Sequence, residues 1–230
     1  EQQGELWAIA AMDLKTQAYS TVNAEQSMQS ASVIKAFIMA AVYDKLIYPD
    51  EGTTVSSDYE STLKPLLTSM ITVSDNDSAN ELVRKLGGGD FQAGAAIVNA
   101  FCQERSYTST HLGREFLASD PTDDNYTSAS DCCRLLSDIY NSSLVNAEAS
   151  AEMLALLTSQ TKTAKIPAPQ LPTKPENLQI PENSVLSKTI LPLSLTKSIH
   201  MCSVYSPIIS RIIPVHRIRS KKSLQMSIHI

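Results

Sequence analysis

Ser32-Val-Ile-Lys35 places a hydroxyl three residues ahead of an amine, inside one of the most apolar stretches of the chain. On a helix these two side chains share a face, one turn apart. A hydroxyl beside an amine that can take its proton is an activated nucleophile with its base. The surrounding run, Ala31-Ser-Val-Ile-Lys-Ala-Phe-Ile-Met-Ala-Ala-Val-Tyr43, contains neither Gly nor Pro and leaves almost no polar face. It predicts a helix over 32–46 that is buried on nearly all sides. An unpaired buried ammonium costs roughly several kcal/mol, so Lys35 must pair or shed its proton. The spacing alone says little, because Ser-x-x-Lys also occurs at Ser61/Lys64, Ser159/Lys162 and Ser194/Lys197. Those three lie in polar or mixed sequence where a lysine reaches water, and a snorkelling structural lysine is the competing reading of Lys35 as well.

The elements that must position this pair follow from hydrophobic period and turn chemistry. Residues 5–12 and 18–22 read as antiparallel strands joined by a turn at Asp13-Leu-Lys-Thr-Gln17. After the apolar helix, residues 63–73 carry apolar positions at helical spacing. Ser74-Asp75-Asn76 interrupts them with good N-capping residues, and a helix over 79–86 ends at Gly87-Gly-Gly89. Further helices are expected over 91–104, 128–140 and 147–157, with a polar, irregular stretch at 105–126. Five prolines in 163–183 rule out regular structure there, and 185–190 is a short strand candidate. Two strands, a helical block and a late strand make an α+β layout, an antiparallel sheet flanked by helices.

A chemical set emerges from the order of these pieces. Ser74 could relay a proton to a leaving nitrogen, and Asn76 could hold a substrate amide and contact Lys35. Lys188-Thr189, on the late strand, could bind a carboxylate by charge and by hydroxyl. For Ser74-Asp75-Asn76 taken alone, ordinary helix capping is the competing reading.

Residues 30–43, the segment Ser74-Asp-Asn-Asp-Ser-Ala-Asn-Glu-Leu82 and Lys188-Thr189 together resemble the three motifs of the class A serine β-lactamase and penicillin-binding protein superfamily. The resemblance spans about residues 5–189, Lys165-Ile-Pro167 included. It implies an α/β sandwich with an all-helical subdomain and the site between them. It also implies secretion, no metal or cofactor, a monomer, and a small-molecule β-lactam or an acyl-D-Ala-D-Ala peptide as substrate. By this resemblance Ser32 is the nucleophile, Lys35 its base and Ser74 the proton relay, while Asn76, Lys188 and Thr189 hold substrate. The N–H groups of Ser32 and Leu191 would form the oxyanion hole.

Three departures accompany it. The third motif reads Lys188-Thr189-Ile190, with a branched residue where the family has Gly. The glutamate that activates the deacylating water in class A enzymes is missing. Aligning His111-Leu-Gly-Arg114 on that loop puts Phe116 in its slot, with Glu115 one residue off. The last two strands and final helix of the family have no recognisable counterpart in residues 190–230, which carry Pro192, Pro207 and Pro214 and no Gly.

Totals narrow the classes further. The chain has 230 residues, 43% hydrophobic and 19% charged, with a net charge of −5, which gives nucleic acid little to bind. No run reaches the roughly 18 apolar residues of a membrane span, and no signal peptide is visible at Glu1. Cys102, Cys132, Cys133 and Cys202 have poor zinc spacing. One disulfide from Cys102 to Cys132 or Cys133, or buried thiols, both fit.

All 24 acidic residues precede Ile190. Residues 1–189 hold thirteen Lys/Arg, giving −11, whereas residues 190–230 carry six Lys/Arg and no acid. Two readings of this tail stand: translation in a shifted frame after residue 189, or a basic segment that binds an anionic surface. The coding sequence separates them. A frame shift past codon 189 should restore a Gly-containing, acid-bearing strand–strand–helix segment, and a coding sequence without one in either alternative frame removes the frame-shift reading.

Overall fold

The computed structural model describes residues 6–14, 16–49, 55–119, 122–161, 190–195 and 199–205. Strand β1 (Leu6–Met12) pairs antiparallel with β2 (Tyr19–Val22), Ile9 lying opposite Val22. All four residues of β2 are exposed, as suits a strand at the sheet margin. A two-stranded ribbon joins β3 (Met28–Gln29) to β4 (Tyr126–Thr127), linking the chain just before Ser32 to the end of the 105–126 stretch.

The helices begin where short polar side chains satisfy their first N–H groups. Asp75 accepts from Ser78 N at the start of α3 (Asn76–Leu86). Asp90 caps α4 (Phe91–Glu104), Ser128 caps α5 (Ala129–Tyr140) and Asn146 caps α6 (Ala147–Thr158) in the same way. Asp75 starts α3 three residues earlier than the expected 79. A wide turn at Tyr59–Leu63 leads into α2 (Lys64–Thr72), so that helical segment also begins before the expected 63.

Helix α1 (Ile34–Val42) follows a 3₁₀ turn at Ala31–Val33 and runs into a wide turn at Tyr43–Ile47. All nine of its residues are buried, as its missing polar face requires. It packs against α2, α3 and α4, and α5 lies on β1. The phenols of Tyr43 and Tyr59 both donate to Glu152 Oε2, at 3.1 and 2.6 Å, and tie the two wide turns to α6. Burial pushes both phenols up, so they remain neutral donors.

The tail departs from expectation. Residues 190–195 and 199–205, expected to hold no recognisable strands, form β5 (Ile190–Leu195) and β6 (Ile199–Tyr205). They pair antiparallel with each other, and β6 pairs parallel with β1, giving the order β2-β1-β6-β5. Ile199, Ile190 and Val204 favour a pleated backbone, and Pro192 lies on the edge strand β5, the place in a sheet where proline is accommodated. Of the expected strand at 185–190, residues 185–189 lie outside the described residues, as do residues 162–184. The cysteines are buried thiols at 102, 132 and 133, not a disulfide. Burial pushes the Cys102 and Cys132 thiols up to about 12, which keeps them protonated and unreactive at neutral pH. No helix among the described residues is long and apolar enough to cross a membrane.

A close approach of α4 to α3 is set by a glycine. A Cβ on Gly94 of α4 would lie 1.8 Å from the carbonyl oxygen of Val83 in α3. Backbone cannot yield as a side chain can, so Gly94→Ala should push α4 off α3 and cost about 1–3 kcal/mol. Urea unfolding of the two proteins measures this, and equal midpoints would contradict the packing described.

Candidate active site

Ser32 lies in the 3₁₀ turn ahead of α1 and is exposed. The turn is held from behind: Ser30 N donates to Asn125 O at 2.8 Å, and Val33 N to Ser30 O at 3.1 Å. Ala31 takes φ +42°, a left-handed conformation that an alanine adopts only at a cost of about 1 kcal/mol. That strained residue immediately precedes the candidate nucleophile.

Lys35 sits in the first turn of α1 with 2% of its surface exposed. Its Nζ donates to Ser74 O at 2.7 Å, to Asn76 Oδ1 at 2.8 Å and to Ser74 Oγ at 3.2 Å. The Phe116 ring covers it, 4.7 Å from Nζ to the centroid, a contact worth about 0.5–2 kcal/mol. The lysine therefore does not snorkel, and Lys35, Ser74 and Asn76 belong to one neighbourhood, with Ser32 three residues before Lys35 in the chain. Ser74 also has a left-handed backbone, φ +61°, which turns both its carbonyl and its hydroxyl onto the same ammonium. Within Ser74-Asp75-Asn76 the duties divide. Asp75 caps α3, while its two neighbours face Lys35.

Lys188 and Thr189 lie outside the described residues. Leu191 is on the edge strand β5, opposite Ser203.

Among the described residues of the polar stretch 105–125 there is no helix or strand beyond the single bridge of His111 to Tyr126, yet its backbone is closely pinned by three asparagines. Asn99 of α4 accepts from Leu112 N at 2.8 Å and donates to Leu112 O at 3.0 Å. Asn125 accepts from Gly113 N and Arg114 N and donates to Arg114 O. Asn80 of α3 accepts from Phe116 N at 2.9 Å and donates to Phe116 O at 3.2 Å. Residues 112, 114 and 116 are thus held at alternate positions by side-chain amides that imitate a neighbouring strand. Glu115 points elsewhere, to Arg84 Nη2 at 2.7 Å. Both partners are about one-third exposed, so this pair is worth at most about 1 kcal/mol, but it fixes the direction of the carboxylate.

Sequence reasoning places Phe116 on this loop without placing its ring on Lys35, and it overlooks the asparagine clamps. Asn80 is the one with a visible signal, since it follows Asn76 by four residues on the same face of α3. Asn99 and Asn125 act across the fold, and nothing local marks them.

A model of the β-lactamase enzyme family matches residues 1–189. Among curated proteins there is no match. Several solved structures share the fold. The β-lactamase of Sphaerobacter thermophilus DSM 20745 superposes with a TM-score of 0.51 at 19% identity, over 67% of this chain and 62% of that one. This chain therefore spans less than two thirds of that relative's length. An ancestral (GNCA) class A β-lactamase gives 0.56 at 19% identity, with 72% of each chain covered. A variant of the class A β-lactamase of the last common ancestor of Gram-negative bacteria gives 0.54 at 20% identity, over 70% of this chain and 67% of that one.

The loop's charge anchor yields a pH prediction. Burial alone would raise the Asp124 carboxyl. Hydrogen bonds from Asn125 N at 2.8 Å, Gln29 Nε2 at 2.6 Å and Arg114 Nε at 2.7 Å outweigh it and hold the group below its ordinary value. A depressed carboxylate stabilises the fold above its unfolded pKa of about 3.9 and loses that contribution as pH falls through the lower, folded value. In an NMR titration the Arg114 and Asn125 amide shifts should move with a midpoint below about 3.9, and Asp124→Asn should abolish the step. A midpoint at or above that value would contradict the anchor.

Proposed function

The chain belongs to the β-lactamase enzyme family, and from that premise we propose that it is a serine hydrolase acylated at Ser32 by cyclic amides of the β-lactam class. The observation that supports this most is Lys35, buried between Ser74 and Asn76 and one turn from an exposed Ser32. A purely structural lysine gains nothing from an exposed serine on a strained turn.

In this reading the amine form of Lys35 takes the proton from Ser32 Oγ as Oγ bonds to the amide carbonyl carbon. The carbonyl oxygen gains charge and is met by the N–H groups of Ser32 and Leu191. The C–N bond then breaks, and the proton passes through Ser74 Oγ, already 3.2 Å from Lys35 Nζ, to the leaving nitrogen. Asn76 orients the substrate amide, and Lys188 with Thr189 receives its carboxylate. The product is an ester on Ser32.

One observation favours a second substrate class within the same chemistry. Glu115, the acid next to Phe116 in the sequence, is turned to Arg84, which suits a peptidase that releases its acyl group slowly and takes an acyl-D-Ala-D-Ala peptide outside the cytoplasm. A non-catalytic relative would use the same cleft for binding alone.

Intact-mass spectrometry with a penicillin, run beside a chromogenic β-lactam assay, tests the reading. Wild type should acquire a covalent adduct or turn over the chromogenic substrate, and Ser32→Ala should do neither. Lys35→Met should slow acylation by about 10²–10⁴-fold. A wild-type protein with neither adduct nor turnover would overturn the proposal.

A further inference from the structure

Resting on the acylation of Ser32 proposed above, we infer that Phe116 is a positioning residue that keeps water from the acyl-Ser32 carbonyl, so that the ester forms faster than it is released. Hydrolysis needs a water oxygen to bond to the acyl carbon and a base to take that water's proton. The Oγ–C bond then breaks, and Ser32 regains a proton as the carboxylic acid departs. Over the Lys35 amine, the base nearest in sequence to Ser32, lies an aromatic ring, 4.7 Å from Nζ to the centroid.

The ring is not a loose surface group. Asn80, itself buried, holds both the N–H and the C=O of Phe116. The next residue, Leu117, is in the left-handed region at φ +65° and is 79% exposed, so the chain turns outward immediately after the ring. A leucine in that conformation persists only where its surroundings over-determine it. The nearest carboxylate along the loop, Glu115, is engaged by Arg84 on the outer side of α3. The amide clamp of Asn80 therefore presents an apolar group to Lys35, and the Arg84 pair only directs the neighbouring acid away.

The test measures acyl-enzyme lifetime. Wild type, Phe116→Leu, Phe116→Ala, Phe116→Glu and Glu115→Gln are pulsed with a penicillin, freed of excess antibiotic and followed by intact mass. Wild type should keep its adduct, and the conservative Phe116→Leu should match it within about twofold. Phe116→Ala, which admits water, and Phe116→Glu, which also supplies a base, should shorten the lifetime at least about tenfold. Acylation rates should change less than about threefold, a split that general misfolding would not produce. Glu115→Gln should leave the lifetime unchanged. Shortening in either the Ala or the Glu variant, provided it still acylates, supports the inference. Unchanged lifetimes in both overturn it, as does a Glu115→Gln adduct that outlasts wild type, or a wild-type adduct too brief to accumulate. Absence of any wild-type adduct and turnover is a different result, because it removes the acylation reading itself.

Discussion

The buried ammonium of Lys35 is the constraint around which the described part of the molecule is organised. An ammonium in the core of an apolar helix carries a desolvation cost of several kcal/mol that only close oxygens can offset. Those oxygens come from the α2–α3 junction, where Ser74 supplies two and Asn76 one. Meeting that demand fixes where α2 must stop and α3 must start, and it explains why Ser74 accepts a left-handed backbone. A helix break that would otherwise be an ordinary capped turn becomes one wall of a site.

The second wall is built without secondary structure. The loop from His111 to Asn125 has too little apolar content to fold by burial, and its backbone groups would be left to water if nothing paired them. Asn99, Asn125 and Asn80 satisfy Leu112, Arg114 and Phe116 in turn. Each pair of amide bonds contributes about 1–3 kcal/mol net. Their larger effect is on precision, since three anchors at alternate residues leave the intervening side chains little choice of direction. Glu115 faces Arg84 and Phe116 faces Lys35 because the backbone between them is held on both sides.

How much of this was legible in the sequence depended on the range of the interaction. The strands of 6–12 and 19–22, the buried helix and the capped helices follow from local period and capping chemistry, and they stand close to where those signals put them. The contact of Lys35 with Asn76 was readable in outline, because a buried lysine must find oxygens and Ser74-Asp75-Asn76 is a polar break between two helical segments. The amide clamps were not readable, because Asn99 and Asn125 look like any polar residue until the fold brings their partners near. The strands at 190–195 and 199–205 were missed because Pro192 and the absence of Gly were weighed as breakers. An edge strand is where a sheet accommodates a proline.

The same forces bear on how far the tail belongs with the body. The family match stops at residue 189, where acid also disappears from the sequence. Strand pairing is indifferent to that change, because ladder bonds come from the backbone and β6 needs only an open edge of β1. Side-chain contacts are not indifferent, since they require particular residues at particular positions along a strand. A β-branched isoleucine at 190 suits a strand, yet it is not the glycine that the resemblance calls for after Lys188-Thr189. A sequence after residue 189 that supplies strands without supplying the family's residues can therefore close the sheet, while the pairing of Lys35 with Ser74 and Asn76 depends only on α1 and the α2–α3 junction.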